Sequence, residues 1–79
     1  MTVKVYGKPG CVQCSATERR LDKNKIKYTK IDVTRDLPAL QHIMELGYQQ
    51  VPVVEHGDDH WGGYRPDLLD GLIAERRAA

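Results

Sequence analysis

The two cysteines of this chain, Cys11 and Cys14, stand at the junction between a short strand-like run and a helical stretch. A helix start directs unpaired backbone N–H groups and the positive end of the helix dipole at the first sulfur, which favours its thiolate. A spacing of three places the second sulfur one turn along on the same face, within reach for a small disulfide ring. The sequence therefore predicts a strand that leads into a helix, with dithiol redox chemistry at the junction.

Two structural uses of the cysteine pair are the alternatives. A permanent disulfide across so short a loop removes little entropy from the unfolded chain, and small secreted domains usually carry several bridges. A zinc site is the stronger alternative, because Cys-x-x-Cys is a common zinc spacing and His42, His56 and His60 offer nitrogens. No second Cys-x-x-Cys follows, and Gly57-Asp58 predicts a hairpin turn that does not aim His56 and His60 at Cys11. We expect redox use and no bound metal.

The length of 79 residues allows one domain, residues 1–79, with a modest core and little room for a cofactor domain. Its 12 basic and 11 acidic residues are interspersed, which leaves no basic face for nucleic acid or an anionic membrane. From Met1 the chain runs directly into a strand pattern, with no targeting segment and no apolar stretch long enough to span a bilayer. We expect a cytoplasmic monomer, and in that reducing compartment a lone cysteine pair is more often catalytic than structural.

Hydrophobic periodicity, β-propensity and turn residues predict seven elements, with strands at 2–6, 26–33, 51–55 and 59–61 and helices at 12–24, 36–47 and from 66 onward. Val12, Ala16 and Leu21 form a sparse apolar stripe on the first helix, and Gly47 is predicted to end the second helix in a left-handed conformation. The order β-α-β-α-β-β-α makes the first two strands parallel, with a right-handed crossover, and the hairpin strands antiparallel. The predicted fold class is α/β, a mixed four-stranded sheet flanked by three helices, with the cysteines at its carboxyl edge.

Three motifs follow one another along the chain. They are Lys8-Pro9-x-Cys11-Val12-Gln13-Cys14 after the first strand, Val51-Pro52 at the third, and Trp61-Gly62-Gly63-Tyr64-Arg65-Pro66-Asp67 before the last helix. In these motifs, and over its whole length, the chain resembles the NrdH redoxins, glutaredoxin-like proteins of the thioredoxin superfamily. Two positions depart from that family, whose members commonly have Ser where Gly62 stands and Phe where Tyr64 stands. The Gly62-Gly63 pair is also similar to the glutathione-binding Gly-Gly of true glutaredoxins.

The resemblance implies a thioredoxin-like fold with no bound cofactor and a redox-active disulfide between Cys11 and Cys14. It implies an electron carrier with protein-disulfide reductase activity, which donates electrons to class Ib ribonucleotide reductase. Thioredoxin reductase with NADPH, rather than glutathione, would reduce the carrier again. A glutathione-dependent glutaredoxin is the alternative function, and a Cys-x-x-Cys metal-binding module is a third.

Within this chemistry Cys11 is the predicted nucleophile, because it is the more exposed sulfur at the helix start, and Cys14 resolves the mixed disulfide. Lys8, three residues before Cys11, either stabilises the thiolate or is merely solvated, and both interpretations stay open. His42 is predicted to be a solvated surface residue. No carboxylate or histidine is placed by sequence alone as a general base for Cys14.

The predicted partner surface surrounds the nucleophile and comprises Val12, Gln13, Val51, Pro52, Trp61, Gly62, Gly63, Tyr64 and Arg65. The resemblance implies a cis Val51-Pro52 bond that faces the cysteines, where the Val51 N–H and C=O could pair with an added partner strand. Trp61 is predicted to be part core and part docking surface. Arg65 is predicted to bind backbone carbonyls of its own loop, in the space that glutathione would otherwise fill.

Overall fold

A computed structural model of the chain describes residues 2–78, so that Met1, where the sequence predicts no targeting segment, and Ala79 lie outside the described residues. The elements follow the predicted order β-α-β-α-β-β-α. The strands are β1 (Val3–Gly7), β2 (Thr29–Asp32), β3 (Val53–His56) and β4 (Asp59–Gly62). The helices are α1 (Val12–Lys23), α2 (Leu37–Glu45) and α3 (Pro66–Ala78).

A mixed sheet in the order β2-β1-β3-β4 forms the centre of the fold. Strand β1 pairs in parallel with β2, because α1 carries the chain back to the starting edge between them. Strands β1 and β3 are antiparallel, with Tyr6 opposite Val53, and so are the hairpin strands β3 and β4. The predicted α/β class, with a mixed four-stranded sheet and three helices, is confirmed.

Two apolar layers enclose the sheet, because successive side chains of a strand point to opposite faces. One layer joins α1 and α3 to the sheet and consists of Val3, Val5, Leu21, Val54, Trp61, Leu69 and Leu72. The other layer holds α2 on the opposite face and consists of Tyr6, Val33, Ile43 and Val53. Helices therefore cover both faces of the sheet, as predicted. The C-terminal end of β1 and the N-terminal end of β3 lie next to each other at one edge of the sheet.

The predicted apolar stripe of α1 is wrong at its first position, because Val12 is 79% exposed. The buried residues of this helix are Cys14, Thr17 and Leu21, which recur at the spacing of one helix face. Val12 precedes Cys14 by two residues, about 200° around the helix at 3.6 residues per turn, and so points away from the sheet. Buried Thr17 satisfies its hydroxyl by donating to the Gln13 carbonyl oxygen at 2.9 Å.

Two predicted strands are shorter than expected. Strand β2 begins only at Thr29, after a turn in which Lys25 adopts a left-handed φ of 59°. Ile26 and Tyr28 precede the strand and pack against the core as part of the connection, so their apolar character reflects burial rather than pairing. Strand β3 begins after Pro52, which has no N–H to donate to the ladder.

Helix α2 is shorter than the predicted 36–47, but the predicted residues Asp36 and Gly47 flank it. Asp36 caps its N-terminus, where the carboxylate accepts a hydrogen bond from the Ala39 N–H at 3.1 Å. Gly47 follows the helix with a φ of 101°, the left-handed conformation predicted for it.

Candidate active site

The cysteine pair lies where β1 gives way to α1, as predicted. Cys11 is the N-cap of α1, and its sulfur accepts a hydrogen bond from the Cys14 N–H at 3.2 Å. The first turn of α1 contains no acidic residue, so the positive end of the helix dipole acts on the sulfur without a neutralising carboxylate. This arrangement stabilises negative charge on Cys11, which is the charge of a nucleophilic thiolate.

Cys11 and Cys14 are joined by a disulfide, with their Cα atoms 5.2 Å apart. The two sulfurs differ in access, because Cys11 is half-buried whereas Cys14 is only 3% exposed. Gly7, the last residue of β1, allows Cys14 to lie this deep, since a Cβ at Gly7 would be 3.2 Å from the Cys14 sulfur. Cys11 is therefore the more accessible of the two sulfurs.

The segment before β3 approaches Cys11 from the neighbouring strand. The Val51-Pro52 bond is cis, as the resemblance implied. The carbonyl oxygen of Val51 lies 3.9 Å from the Cys11 sulfur, and Pro52 is buried beneath it. The predicted approach of Val51-Pro52 to the cysteines is therefore present.

The loop between β4 and α3 closes the other side of the site. The Gly63 N–H donates to the Pro52 carbonyl oxygen at 2.8 Å. The Tyr64 N–H donates to the side-chain oxygen of Gln13, between the two cysteines, at 3.2 Å. The Tyr64 hydroxyl accepts a hydrogen bond from Arg20 of α1 at 3.3 Å. These bonds bring Gln13, Pro52, Gly63 and Tyr64 together beside the cysteine pair.

Gly62 and Gly63 are glycines for separate reasons. A Cβ at Gly62 would lie 2.9 Å from the ring of Tyr48, so the aromatic ring packs directly on this backbone. Gly63 has a φ of 81°, which side chains other than glycine rarely adopt. Packing of Tyr48 at Gly62 and the left-handed conformation of Gly63 therefore account for both glycines without a ligand.

Arg65 differs from its prediction. Its guanidinium binds the carboxylate of Asp67 at 3.2 and 3.0 Å instead of backbone carbonyls. The two residues flank Pro66 at the start of α3, where a carboxylate is favoured by the helix dipole and draws the nearby cation to itself. The hydrogen bond from Arg65 holds the pKa of the Asp67 carboxyl below its usual range.

Trp61 lies in the core and is only 8% exposed, so the indole offers little surface for docking. Its ring packs edge-on against His56, with the ring centroids 5.7 Å apart. Among the described residues, the indole N–H is a buried donor without a hydrogen-bond partner. In this loop Tyr64 is the more accessible aromatic side chain.

A cleft of about 520 Å³ runs beside the active site, between α2 and the segment before β3. Apolar side chains that line it are Val33, Leu40, Ile43, Met44, Tyr48 and Val51. Lys8 lies at its rim, is exposed, and makes no hydrogen bond or ion pair within residues 2–78. The support of the thiolate by Lys8 stays a prediction.

A polar cluster that the sequence did not predict ties α2 to the sheet. The Tyr6 hydroxyl donates to the Glu55 carboxylate at 2.8 Å, and the His42 Nε2 lies 3.0 Å from both oxygens of that carboxylate. His42 is therefore a partner of Glu55 rather than merely solvated. Burial raises the pKa of Glu55, but the hydrogen bonds from His42 and Tyr6 outweigh it and leave the pKa below its usual value. Burial, together with the bond to Glu55, raises the pKa of Tyr6.

Within residues 2–78 there is no group of three or more histidine, cysteine, aspartate or glutamate side chains arranged to hold a metal ion. Over the same range, no helix is both long and apolar enough to cross a membrane.

Comparison with known proteins relates the chain to a protein family. The glutaredoxin profile matches residues 3–61. The glutaredoxin-like protein NrdH of Escherichia coli (strain K12) is 35% identical over 79 residues, which cover 100% of this chain and 98% of that protein. The NrdH protein of Salmonella typhimurium is 33% identical with the same coverage.

Comparison with solved structures leads to the same family. The solved structure of NrdH-redoxin from Escherichia coli superposes with a TM-score of 0.88 and 36% identity, covering 91% of this chain and 95% of that one. That structure was described as the basis of a thioredoxin-like activity profile of the glutaredoxin-like protein. The predicted thioredoxin-like fold is confirmed. The chain belongs to the glutaredoxin family and, within it, to the glutaredoxin-like NrdH redox proteins.

Proposed function

We propose that this chain is a dithiol electron donor to class Ib ribonucleotide reductase, and that thioredoxin reductase reduces it again with NADPH. The observation that carries the proposal is the surface around Cys11, where Val51, whose carbonyl oxygen lies 3.9 Å from the accessible sulfur, also lines a largely apolar cleft of about 520 Å³. Its apolar side chains offer contact area for the side chains of a protein partner. We place the reaction in the cytoplasm, with the chain acting as a monomer and without nucleic acid, membrane or metal.

Electron donation proceeds in two exchange steps. The Cys11 thiolate attacks one sulfur of the partner's disulfide, so that a Cys11–partner bond forms and the other partner sulfur leaves as a thiolate. The Cys14 thiolate then attacks the Cys11 sulfur, which forms the Cys11–Cys14 disulfide and releases the second partner thiolate. Two electrons pass to the partner, and the released thiolates take up protons from solvent. Reduction by the reductase runs the same steps in reverse.

The backbone of Val51 supports docking of an extended partner segment. Neither its N–H nor its C=O is hydrogen-bonded to another backbone group within residues 2–78, and the carbonyl oxygen lies 3.9 Å from the Cys11 sulfur. A partner strand that pairs with these groups brings its own cysteine next to Cys11. Val12, 79% exposed beside Cys11, adds an apolar contact for the same segment.

A glutathione-dependent glutaredoxin is the second candidate, and family membership together with the Gly62-Gly63 pair favours it. The glycines have structural causes in this chain, and the Gly63 N–H is already bonded to Pro52. These observations remove the main argument that the glycine pair marks a glutathione site.

A paired reductase assay separates the two candidates. The oxidised chain is mixed with a protein disulfide substrate and NADPH, together with either thioredoxin reductase or glutathione and glutathione reductase. We expect NADPH consumption with thioredoxin reductase and only background consumption with glutathione. Turnover that requires glutathione would refute the proposal. Assay with class Ib ribonucleotide reductase as the final acceptor then tests the identity of the partner.

A further inference from the structure

Gln13 is the residue between the cysteines that contacts the loop opposite. Its side-chain oxygen accepts the hydrogen bond from the Tyr64 N–H at 3.2 Å. The side chain also lies over Gly63, since a Cβ at Gly63 would be 3.6 Å from the same oxygen. Gln13 is exposed and lies at the start of α1, so its carboxamide is not needed to fill the core.

Two successive backbone N–H groups of the loop are bound by Pro52 and Gln13, two residues next to the site of the accessible sulfur. The Gly63 N–H is bound by the Pro52 carbonyl oxygen at 2.8 Å, while the Val51 carbonyl oxygen, one residue earlier, lies 3.9 Å from the Cys11 sulfur. The Tyr64 N–H is the next donor along the loop. Free backbone N–H groups beside a reactive sulfur are suitable anchors for the carboxylate of a small thiol, because charge-assisted hydrogen bonds are strong.

The N–H groups of Gly63 and Tyr64 are occupied by different kinds of acceptor. The bond of Gly63 joins backbone to backbone and is part of the fold. The bond of Tyr64 depends on one exposed side chain, and the Tyr64 ring is held separately through its hydroxyl by Arg20, which in turn binds Asp70 at 2.9 and 2.8 Å. Removing the Gln13 carboxamide therefore frees the Tyr64 N–H while the ring of the same residue keeps its anchor.

We propose that Gln13 is a specificity-determining residue that excludes small carboxylate-bearing thiols such as glutathione by occupying the Tyr64 N–H. The inference rests on the proposed coupling to protein partners and names the residue that enforces it. Protein disulfides do not need this donor, because they dock on the apolar cleft and on the backbone of Val51. Gln13 thus denies the small thiol a partner for its carboxylate. The thiol–disulfide exchange at Cys11 is not itself affected.

The experiment compares two reductants of the oxidised chain. Two glutathione molecules reduce the Cys11–Cys14 disulfide: the first forms a mixed disulfide with Cys11 and releases Cys14, and the second attacks the glutathione sulfur. The products are the dithiol and glutathione disulfide, so two electrons pass to the chain. Dithiothreitol performs the same reduction without a carboxylate. The readout is the ratio of the two rates for wild type, Gln13→Ala and Gln13→Met, with the exposed Gln41→Ala of α2 as matched control.

We expect Gln13→Ala and Gln13→Met to raise the glutathione-to-dithiothreitol ratio by about tenfold, the effect of about 1.4 kcal/mol of added binding. Gln41→Ala should leave the ratio unchanged. A structural effect on the disulfide would move both rates together and leave the ratio constant. Titration with S-methylglutathione, which cannot exchange, should shift the Tyr64 amide resonance in the two Gln13 variants and not in the wild type.

Different results would contradict the role of Gln13 and the proposed function. An unchanged ratio and an unshifted Tyr64 amide in both Gln13 variants overturn the role of Gln13 and leave the proposed function standing. Efficient reduction of the wild type by glutathione overturns the proposed coupling itself. Thermal unfolding of each variant verifies that the fold is retained, and Gln13→Met keeps the length and helix propensity of the native side chain if Gln13→Ala proves unstable.

Discussion

Replacement of Gly71 by alanine should stabilise the fold. Gly71 lies inside α3, is exposed, has no positive φ, and a Cβ built on it meets no atom within 4 Å. Alanine at this position should therefore raise the free energy of unfolding by the full difference in helix propensity, about 0.8–1 kcal/mol, because its methyl group meets no neighbour. For a domain of this size that corresponds to a rise in Tm of about 4–8 °C per kcal/mol.

Gly47→Ala is the matched control. A Cβ at Gly47 also meets nothing within 4 Å, but the residue has a φ of 101°. The two glycines thus offer equal space and differ in backbone conformation, and a left-handed residue other than glycine costs about 1–2 kcal/mol. We expect Gly47→Ala to lower Tm while Gly71→Ala raises it, with the Cys11–Cys14 disulfide kept oxidised in both.

The assay is thermal unfolding followed by circular dichroism, with urea unfolding to obtain the free energy of unfolding of each variant. Coupled disulfide reduction at 25 °C should be the same for Gly71→Ala and wild type, because α3 at this point lies away from Cys11. A fall in Tm for Gly71→Ala, or equal shifts for the two variants, would refute the claim that backbone conformation alone decides these sites.

Three further predictions concern the active site and its support. In the reduced protein, Cys14→Ser should accumulate a mixed disulfide with an oxidised partner on a non-reducing gel and Cys11→Ser should not; the opposite pattern would reverse their roles. Lys8→Met should slow alkylation of Cys11 at neutral pH about two- to fivefold, the range of an exposed charge pair, whereas a rate equal to that of the wild type identifies Lys8 as solvated. The lowered pKa of Glu55 means that its hydrogen bonds with His42 and Tyr6 stabilise the fold above the unfolded-state pKa and lose that effect as pH falls through the folded-state pKa. Glu55→Gln should therefore lower Tm at pH of about 7, and the difference from wild type should shrink toward a pH of about 3; a difference independent of pH would contradict the assignment.

The sequence predicted the order of elements because each one carries a local signal. Asp36 and Gly47 delimit α2 through a capping side chain and a left-handed turn, both of which depend on neighbouring residues only. Cys11 and Cys14 were placed in the same way, since a short loop between a strand and a helix fixes both. Local chemistry of this kind is readable without knowledge of the fold.

The errors occur where a distant partner decides the outcome. The apolar character of Val12 predicts a place on the buried face, yet Cys14, Thr17 and Leu21 are the residues that α1 buries. The β-propensity of Ile26 and Tyr28 predicts a strand, yet they pack on the core beside it. An apolar type indicates burial or strand preference but not against which neighbour the residue packs.

The polar contacts of the site were the least predictable. Glu55 and His42 are 13 residues apart, and Tyr64 and Gln13 are 51 apart, so neither pair shares a local pattern. The sequence predicts that Arg65 binds backbone carbonyls of its own loop. Its guanidinium binds the carboxylate of Asp67 instead, which is only two residues away in the chain. Only the closure of the sheet and the docking of α2 and α3 determine which of these side chains meet.

The depth of Cys14 beneath Gly7 has a kinetic consequence. Under the proposed function, a single accessible sulfur makes the oxidised acceptor and the reductase share one docking face, so that both cannot engage Cys11 at the same time. We then expect the chain to alternate between two half-reactions, with steady-state rates that follow ping-pong kinetics in which an excess of either protein obstructs the other. The tethered second thiol acts at an effective concentration beyond that of free thiols in solution, so each encounter ends in release rather than in a lasting conjugate.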